Sequence, residues 1–334
     1  IVLNKDGSLQ RTIAYRGPDL ESATPEELVS ISARMNNLLM RFGSGWALWF
    51  EADRRASTAY PDGIWRDPAA WLVDEERRAW FEEAGRHFET DCSLTLSWMP
   101  PADRTARVEK LFIEDPAAAP RSFFSENLDR FETETARGLD LMTDLMPDAR
   151  FLNDDETLTH LHGCISLKRH PVRAPDAPMF LDGLLADTDV TGGLAPMLGD
   201  ETLKVLTVRK FPGTSEPCLL AQLDQLGAGH VAFGYYTATL VLTHADPLIA
   251  EERIRAAERV INARGFTATP ETLNAIEAWL AALPGEAYAN VRQPILNTVD
   301  LSRMAPLSAQ WAGPERNAHL DGPPLLMARS ASST

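Results

Sequence analysis

Lysine is scarce in this chain: the 334 residues hold five, Lys5, Lys110, Lys168, Lys204 and Lys210, and none follows a glycine. A Walker-type phosphate loop needs a Gly-rich turn running into Lys and Ser/Thr, because the lysine must reach the β- and γ-phosphates. Leu226-Gly227-Ala228-Gly229-His230 has the glycines without the lysine. The apolar run Leu240-Val241-Leu242 meets Thr243-His244 where a Walker B acid would stand. P-loop ATP hydrolysis by these residues is excluded. Cysteine is also sparse: Cys92, Cys164 and Cys218 form no CxxC pair, and the odd count suits a reducing compartment better than a disulfide framework. Positive charge is in deficit, with a net charge of -16, which argues against a phosphate-tracking, nucleic-acid-binding surface. No apolar run approaches the roughly 20 residues of a membrane helix. No Gly-x-Ser-x-Gly elbow occurs. The start, Ile1-Val2-Leu3-Asn4-Lys5-Asp6-Gly7, has neither an initiator Met nor a signal-peptide pattern, so a trimmed beginning is expected.

What is present reads as an ordinary globular chain, 44% hydrophobic and 24% charged. A strand is expected at residues 9–15. Thr24-Pro25-Glu26-Glu27 then marks a helix start, with Thr24 as cap, Pro25 at the first helical position and Glu27 completing a capping box. Leu28, Ile31, Met35, Leu38, Leu39 and Phe42 follow at the spacing of one helical face. Residues 46–52 alternate, which puts Trp46, Leu48 and Phe50 on one side of a strand and Trp49 on the other. A charged helix at 71–85 and a strand at 92–98 complete a β-α-β-α-β run. Residues 123–146 and 154–166 read as helices, and 169–193, rich in Pro, Asp and Gly, as a connector. A second run follows: a strand at 203–211, a helix near 217–226, a strand at 233–243, a helix started by Asp246-Pro247, a strand near 265–268, and a helix started by Thr269-Pro270-Glu271 and running to about 283. The expected class is α+β, with two successive β-α-β-α-β units, each ferredoxin-like in order. The expected division is a first subdomain at 1–120, a helical segment and connector at 121–193, a second subdomain at 194–310, and a lead-in at 311–334. One larger mixed sheet is the alternative.

The one chemically suggestive stretch is His160-Leu161-His162-Gly163-Cys164. On a helix, positions i and i+2 lie about 200° apart, so the two imidazoles point away from one another. An ordinary helix end is the plainer reading, and no metal ligand is assigned. Asp154-Asp155-Glu156 suits a helix start through the dipole. Glu75, Glu76, Glu82 and Glu83 alternate with Arg77, Arg78 and Arg86 as solvated helix charge. No catalytic or cofactor-binding residue is assigned. Trp46 and Trp49, on opposite faces of their strand, leave one ring either for core packing or for a partner, and both are retained as interface candidates.

Five stretches carry a resemblance: QRTIAYRGPDLESAT (10–24), NNLLMRFGSGWALWFEA (36–52), FGYYTATLVL (233–242), YANVRQPILNT (288–298) and WAGPERNAHLDGPPLL (311–326). In their order, over nearly the whole chain, these stretches resemble the TrbE branch of the VirB/CagE/TrbE group of type IV secretion ATPases. The resemblance implies an N-terminal region that docks on inner-membrane components of the secretion complex and on sister subunits, as dimer or hexamer. It implies a place in the cytoplasm, peripheral at the bacterial inner membrane, and a role in pilus assembly or transfer of DNA or protein. In such proteins a RecA-like domain with Walker motifs follows the Gly-Pro-Pro segment, so ATP and Mg2+ are expected of the whole protein and no cofactor of residues 1–334. Relatives carry a longer charged segment where Gly227 and Ala228 are adjacent here. A free-standing, non-catalytic interaction module is the alternative reading. Purified residues 1–334 are expected to release no phosphate from ATP above a protein-free control in a colorimetric assay. Measurable turnover would overturn the argument from the lysines.

Overall fold

The computed structural model describes residues 1–17, 23–57, 60, 63–83, 87–101, 119–146, 148–177, 179–212, 229–290 and 292–307. The expected helix near 217–226, the Gly227–Ala228 junction, Cys218 and the segment 311–334 lie outside them.

The alternating strands predicted in the first run assemble into one antiparallel sheet. β2 (Leu9–Tyr15) and β3 (Trp46–Ser57) both pair with β4 (His87–Trp98), which lies between them. The far edge of β2 is taken by β1 (Val2–Leu3) and β5 (Arg150–Phe151). Because β4 is antiparallel to both neighbours, β2 and β3 run parallel, joined by α1 (Pro25–Leu39) as a crossover. α1 begins as its residues dictate: Thr24 accepts from the Glu27 backbone N–H, and the Glu27 carboxylate accepts from Thr24 N–H at 2.7 Å. α2 (Pro68–Glu83) links β3 to β4, and α3 (Ala119–Thr143) links β4 to β5. α1 and α3 cover one face of this sheet.

On that face Ile13, Leu94 and Leu96 meet Met35 and Leu38 of α1, with Met142 and Met146 at the end of α3. Full burial of each such side chain contributes about 1.5–3 kcal/mol. Trp46, Leu48 and Phe50 pack against this cluster, as the alternation requires. Trp46 stacks on Trp98 and on Phe131, with centroids 5.9 and 5.7 Å apart. The opposite face is buried too, yet polar. Gln10, Thr12, Ser93, Thr95 and Ser97 are at most 7% exposed, and Thr12 and Thr95 share a hydroxyl hydrogen bond of 3.0 Å.

The second sheet centres on β8 (Glu201–Lys210), buried on both faces. Leu203 and Val205 meet Ala278 and Trp279 of α7 (Ala275–Ala282), whereas Leu206 and Val208 meet Ile254 of α6 (Pro247–Ala263). β10 (Ala238–His244) pairs along one edge of β8, and β11 (Thr267–Pro270) with β7 (Met197–Leu198) along the other. β6 (Val190–Thr191) extends β7.

Two expectations in this half are corrected. The strand expected at 233–243 is two: β9 (Phe233–Tyr235) pairs with β12 (Ile295–Asn297) in a separate ribbon, and strand pairing breaks at Tyr236-Thr237 before β10 joins β8. At that break the Thr237 hydroxyl donates to the Arg292 carbonyl at 2.5 Å. Thr269-Pro270 does not open a helix. It ends β11, paired with Thr207 and Leu206, and Glu271 is drawn inside to a two-pronged bond with Arg292 at 2.6 and 3.1 Å. Strand pairing and this ion pair outcompete the local start signal, and the helix begins only at Ala275.

α4 (Asp154–Ile165) precedes the connector and α5 (Asp182–Leu185) lies within it, and α8 (Thr298–Met304) ties the halves together. Thr298 donates to Asn36 of α1 at 2.5 Å, and Asn36 donates to the His230 carbonyl at 3.0 Å.

α4 also has a complete capping box between Asn153 and Glu156, and Arg150 grips the Glu156 carboxylate through both nitrogens at 2.8 Å. Arg150 first, then the Asn153 backbone N–H, lower the Glu156 carboxyl to about 2. A folded-state value below the unfolded one contributes stability that is complete above the ordinary carboxylate range and fades as pH falls toward 2. The Tm gap between the native chain and Glu156→Gln is therefore expected at pH 7 and should close between pH 4.5 and 2. A gap independent of pH would assign the effect to packing instead.

Candidate functional site

β3, together with Ser93 of β4, lines a cleft of about 2640 Å³ that β10 of the second sheet also lines. β3 and β10, the outer strands of their sheets among the described residues, both line it. Their outer edges carry backbone N–H and C=O groups that face no further strand, the feature that lets an extended peptide add to a sheet. α4 and the end of α7 supply the floor. Here Trp49 donates its indole N–H to the Ala281 carbonyl at 3.3 Å.

Glu51, on the same side of β3 as Trp49, meets two residues of α4 four apart. His160 Nε2 lies 3.0 Å from Glu51 Oε2, and the Cys164 thiol donates to Glu51 Oε1 at 3.4 Å. Ser93 donates to the same carboxylate at 3.3 Å. Gly163 keeps the surface of α4 low enough for Arg169 to lie across it, where a Cβ would come within 2.5 Å of the guanidinium. Arg169 then pairs with Asp53 at 3.1 Å. The three donors of this group are of metal-ligating type. Each is already engaged: the carboxylate accepts from both partners, so the group closes on itself without an ion.

His160 and His162 leave α4 in different directions, as a two-residue step requires. His162 is 1% exposed and points into the connector, beside His170 and Asp187, a second set of metal-ligating groups. The sequence singled out the stretch from His160 to Cys164 but not its partners, because Glu51 stands 109 residues from His160 and Asp187 lies far along the connector.

Neither described cysteine is an activated nucleophile. Burial, then the charge of Glu51, raise the Cys164 thiol well above its ordinary range. Burial pushes the Cys92 thiol up to about 11. Thiolate, not thiol, attacks, so both are inert near neutrality.

The interface candidates Trp46 and Trp49 are partly buried and engaged within the chain, by the Trp98 and Phe131 rings and by Ala281. The exposed tryptophans lie elsewhere. Beyond Ala52 and Cys92, β3 and β4 leave β2 behind and continue as a two-stranded arm to Ser57 and His87. An Arg55–Asp91 ion pair and Arg54 over the Phe88 ring at 4.7 Å brace it. α2 follows at its tip with no buried residue, and Trp71, Leu72, Val73 and Trp80 are 52%, 63%, 47% and 57% exposed. The sequence did hold a signal for this. Three consecutive apolar residues span about 200° of a helix, more than one buried stripe accommodates.

A family model described as "Type IV secretion system ATPase VirB4/TrbE, N-terminal domain" matches residues 1–106. Another, "CagE, TrbE, VirB family, component of type IV transporter system", matches residues 219–292. The conjugal transfer protein TrbE of Rhizobium radiobacter is 28% identical over 395 residues, taking in 94% of this chain and 48% of the relative. The alignment is longer than the chain, so the relative carries insertions. In Sinorhizobium fredii the probable conjugal transfer protein TrbE is divided between two polypeptides. The first is 33% identical over 116 residues, 34% of this chain and 78% of that polypeptide. The second is 29% identical over 225 residues, 48% of this chain and 34% of that polypeptide. The chain thus spans about half the length of the Rhizobium relative.

Brief iodoacetamide treatment of the native protein at pH 8, followed by peptide mass mapping, should leave Cys92 and Cys164 unmodified, and both should label in denaturant. Rapid native labelling of Cys164 would contradict the raised thiol.

Proposed function

The chain belongs to the TrbE branch of the CagE/TrbE/VirB family, components of type IV transporter systems, and from that premise we propose that residues 1–334 are the N-terminal docking region of a conjugal-transfer ATPase. The exposed apolar face of α2, held away from the sheet on a braced arm, carries this reading. An exposed apolar face with two tryptophans is the composition of an interface centre rather than of a solvated surface. The arm continues into the free edge of β3 and the cleft, so one continuous face offers an aromatic anchor and a strand edge to the same partner. That partner is an inner-membrane component of the secretion complex, with sister subunits as the second class of contact. Placement at the membrane rests on protein contact, since among the described residues no helix is long and apolar enough to cross it.

The order β5-β2-β4-β3, with α1 and α3 on one face, supports a ferredoxin-like reading of the first unit. α2 is then an insertion in it, additional to the two helices that cover the sheet. The second unit keeps β10, β8 and β11 in the corresponding order and diverts β9 to β12.

The residues present carry no P-loop. Lys5, Lys168 and Lys204 are tied to Asp182, Asp187 and Glu251 at 2.8, 3.4 and 2.7 Å, and no Gly-Lys step exists. ATP and Mg2+ are left to the rest of the whole protein, whose hydrolysis would power pilus assembly and transfer of DNA or protein. This region would anchor that motion.

The test is co-isolation of tagged residues 1–334 with inner membranes from cells carrying the transfer apparatus. Trp71→Ser/Trp80→Ser is expected to lower recovery at least tenfold with unchanged thermal unfolding, and membranes lacking the apparatus should recover none. Equal recovery by the double variant would overturn the role of α2. Recovery by bare membranes would replace the protein partner with lipid.

A further inference from the structure

The connector from Ser166 to Asp189 has one four-residue helix, α5, as its regular structure, yet it closes against α4. Apolar contacts and hydrogen bonds fasten it. Leu158 and Leu161 meet Val172 and Leu185, Val172 N–H donates to Thr159 at 2.9 Å, and Ser166 donates to Asp187 at 2.5 Å. His162 sits among them.

The His162 ring is oriented unambiguously. Its Nδ1 lies 2.9 Å from the Leu185 carbonyl oxygen, which can only accept, so Nδ1 carries the proton. Nε2 then points to the far side, buried, with no hydrogen-bond partner among the described residues. Asp187 Oδ2 is 3.9 Å from it, too far for a hydrogen bond. The His170 ring lies at a centroid distance of 4.4 Å, tilted by 58°. One nitrogen of each histidine and one Asp187 oxygen fall within 4.8 Å of one another.

We propose that His162 Nε2, His170 and Asp187 bind a divalent transition-metal ion, which clips the two limbs of the connector to α4. This stands apart from the docking reading and does not rest on it. A buried polar atom with no partner in a native fold calls for an explanation, and an ion is one. A histidine ligand ordinarily donates its other ring N–H to a backbone carbonyl or carboxylate, which fixes the tautomer, and the Leu185 carbonyl does this for His162. Two imidazoles and a carboxylate suit Zn2+, Co2+ or Ni2+ and not the all-oxygen ions.

The fit needs small movements in available directions. A tetrahedral ion with bonds near 2.0–2.1 Å holds its N and O ligands about 3.3 Å apart. The 3.9 Å between Nε2 and Oδ2 must therefore shorten, and His170 and Asp187 both lie on the connector rather than within a helix. Lys168, 3.4 Å from the same oxygen, must turn outward, and its side chain is 63% exposed. The Glu51–His160–Cys164 group makes no comparable demand, since its members satisfy one another.

The experiment uses residues 1–334 stripped with EDTA and titrated calorimetrically with Zn2+, then with Co2+ under an absorption spectrometer. The expected result is one ion per chain at this site, a raised Tm, and visible cobalt d–d bands without a near-ultraviolet thiolate-to-cobalt band. Asp187→Asn and His170→Ala should each weaken binding at least tenfold, and Cys164→Ser should leave it unchanged. His170 is exposed, so its variant keeps the test decisive if changes at buried His162 prevent folding. Absence of binding would leave the Nε2 lone pair to water and overturn the proposal. So would a thiolate band, which moves the ion to Cys164, or binding indifferent to His170→Ala.

Discussion

The insertion of β4 between β2 and β3 is the pairing on which the other features depend. Its register sets Leu94 and Leu96 against α1 and brings Trp98 opposite Trp46, where the Phe131 ring completes the stack. The same register turns Glu51 and Ser93 to the other face, beneath α4. A one-residue slip would exchange the faces, sending the hydroxyl residues into the apolar layer and the leucines to the polar face. The partners of β4 also end at different places. β2 stops at Cys92 while β3 continues to His87, and that unequal length produces the arm.

A sheet with both faces buried usually has two apolar faces. Here one face is lined by Thr12, Thr95, Ser93 and Ser97, and the Ser93 hydroxyl joins an imidazole and a thiol around the Glu51 carboxylate beneath a helix. α4 serves two surroundings at once. Its His160–Cys164 side faces the cleft, and its His162 side faces the connector. The two-residue spacing separates them by geometry alone.

Much of the first half was legible because its signals are local. The capping box at Thr24 and Glu27, the helical stripe to Leu39 and the alternation of Trp46, Leu48 and Phe50 each act within a turn or a strand. In the second half two local signals met stronger long-range partners. Thr269-Pro270 had the form of a helix start, yet pairing with β8 and the Glu271–Arg292 contact hold it as a strand. The run from Phe233 to Thr243 had continuous strand character, yet its two segments found different partners, β12 and β8. Propensity describes the segment, and pairing decides which sheet receives it.

By itself the sequence determined where helices start at Thr24 and Asp246, that no Gly-Lys step exists for a triphosphate, and which family the chain resembles. These follow from neighbours a few residues apart or from composition, and no fold alters them. Tertiary structure alone decided that Glu51 meets His160, that Asp187 and His170 come to His162, and that Trp46 and Trp49 are engaged within the chain. Each of these is a matter of contact or burial between segments distant in the chain, which the free energy of packing fixes and no local spacing encodes.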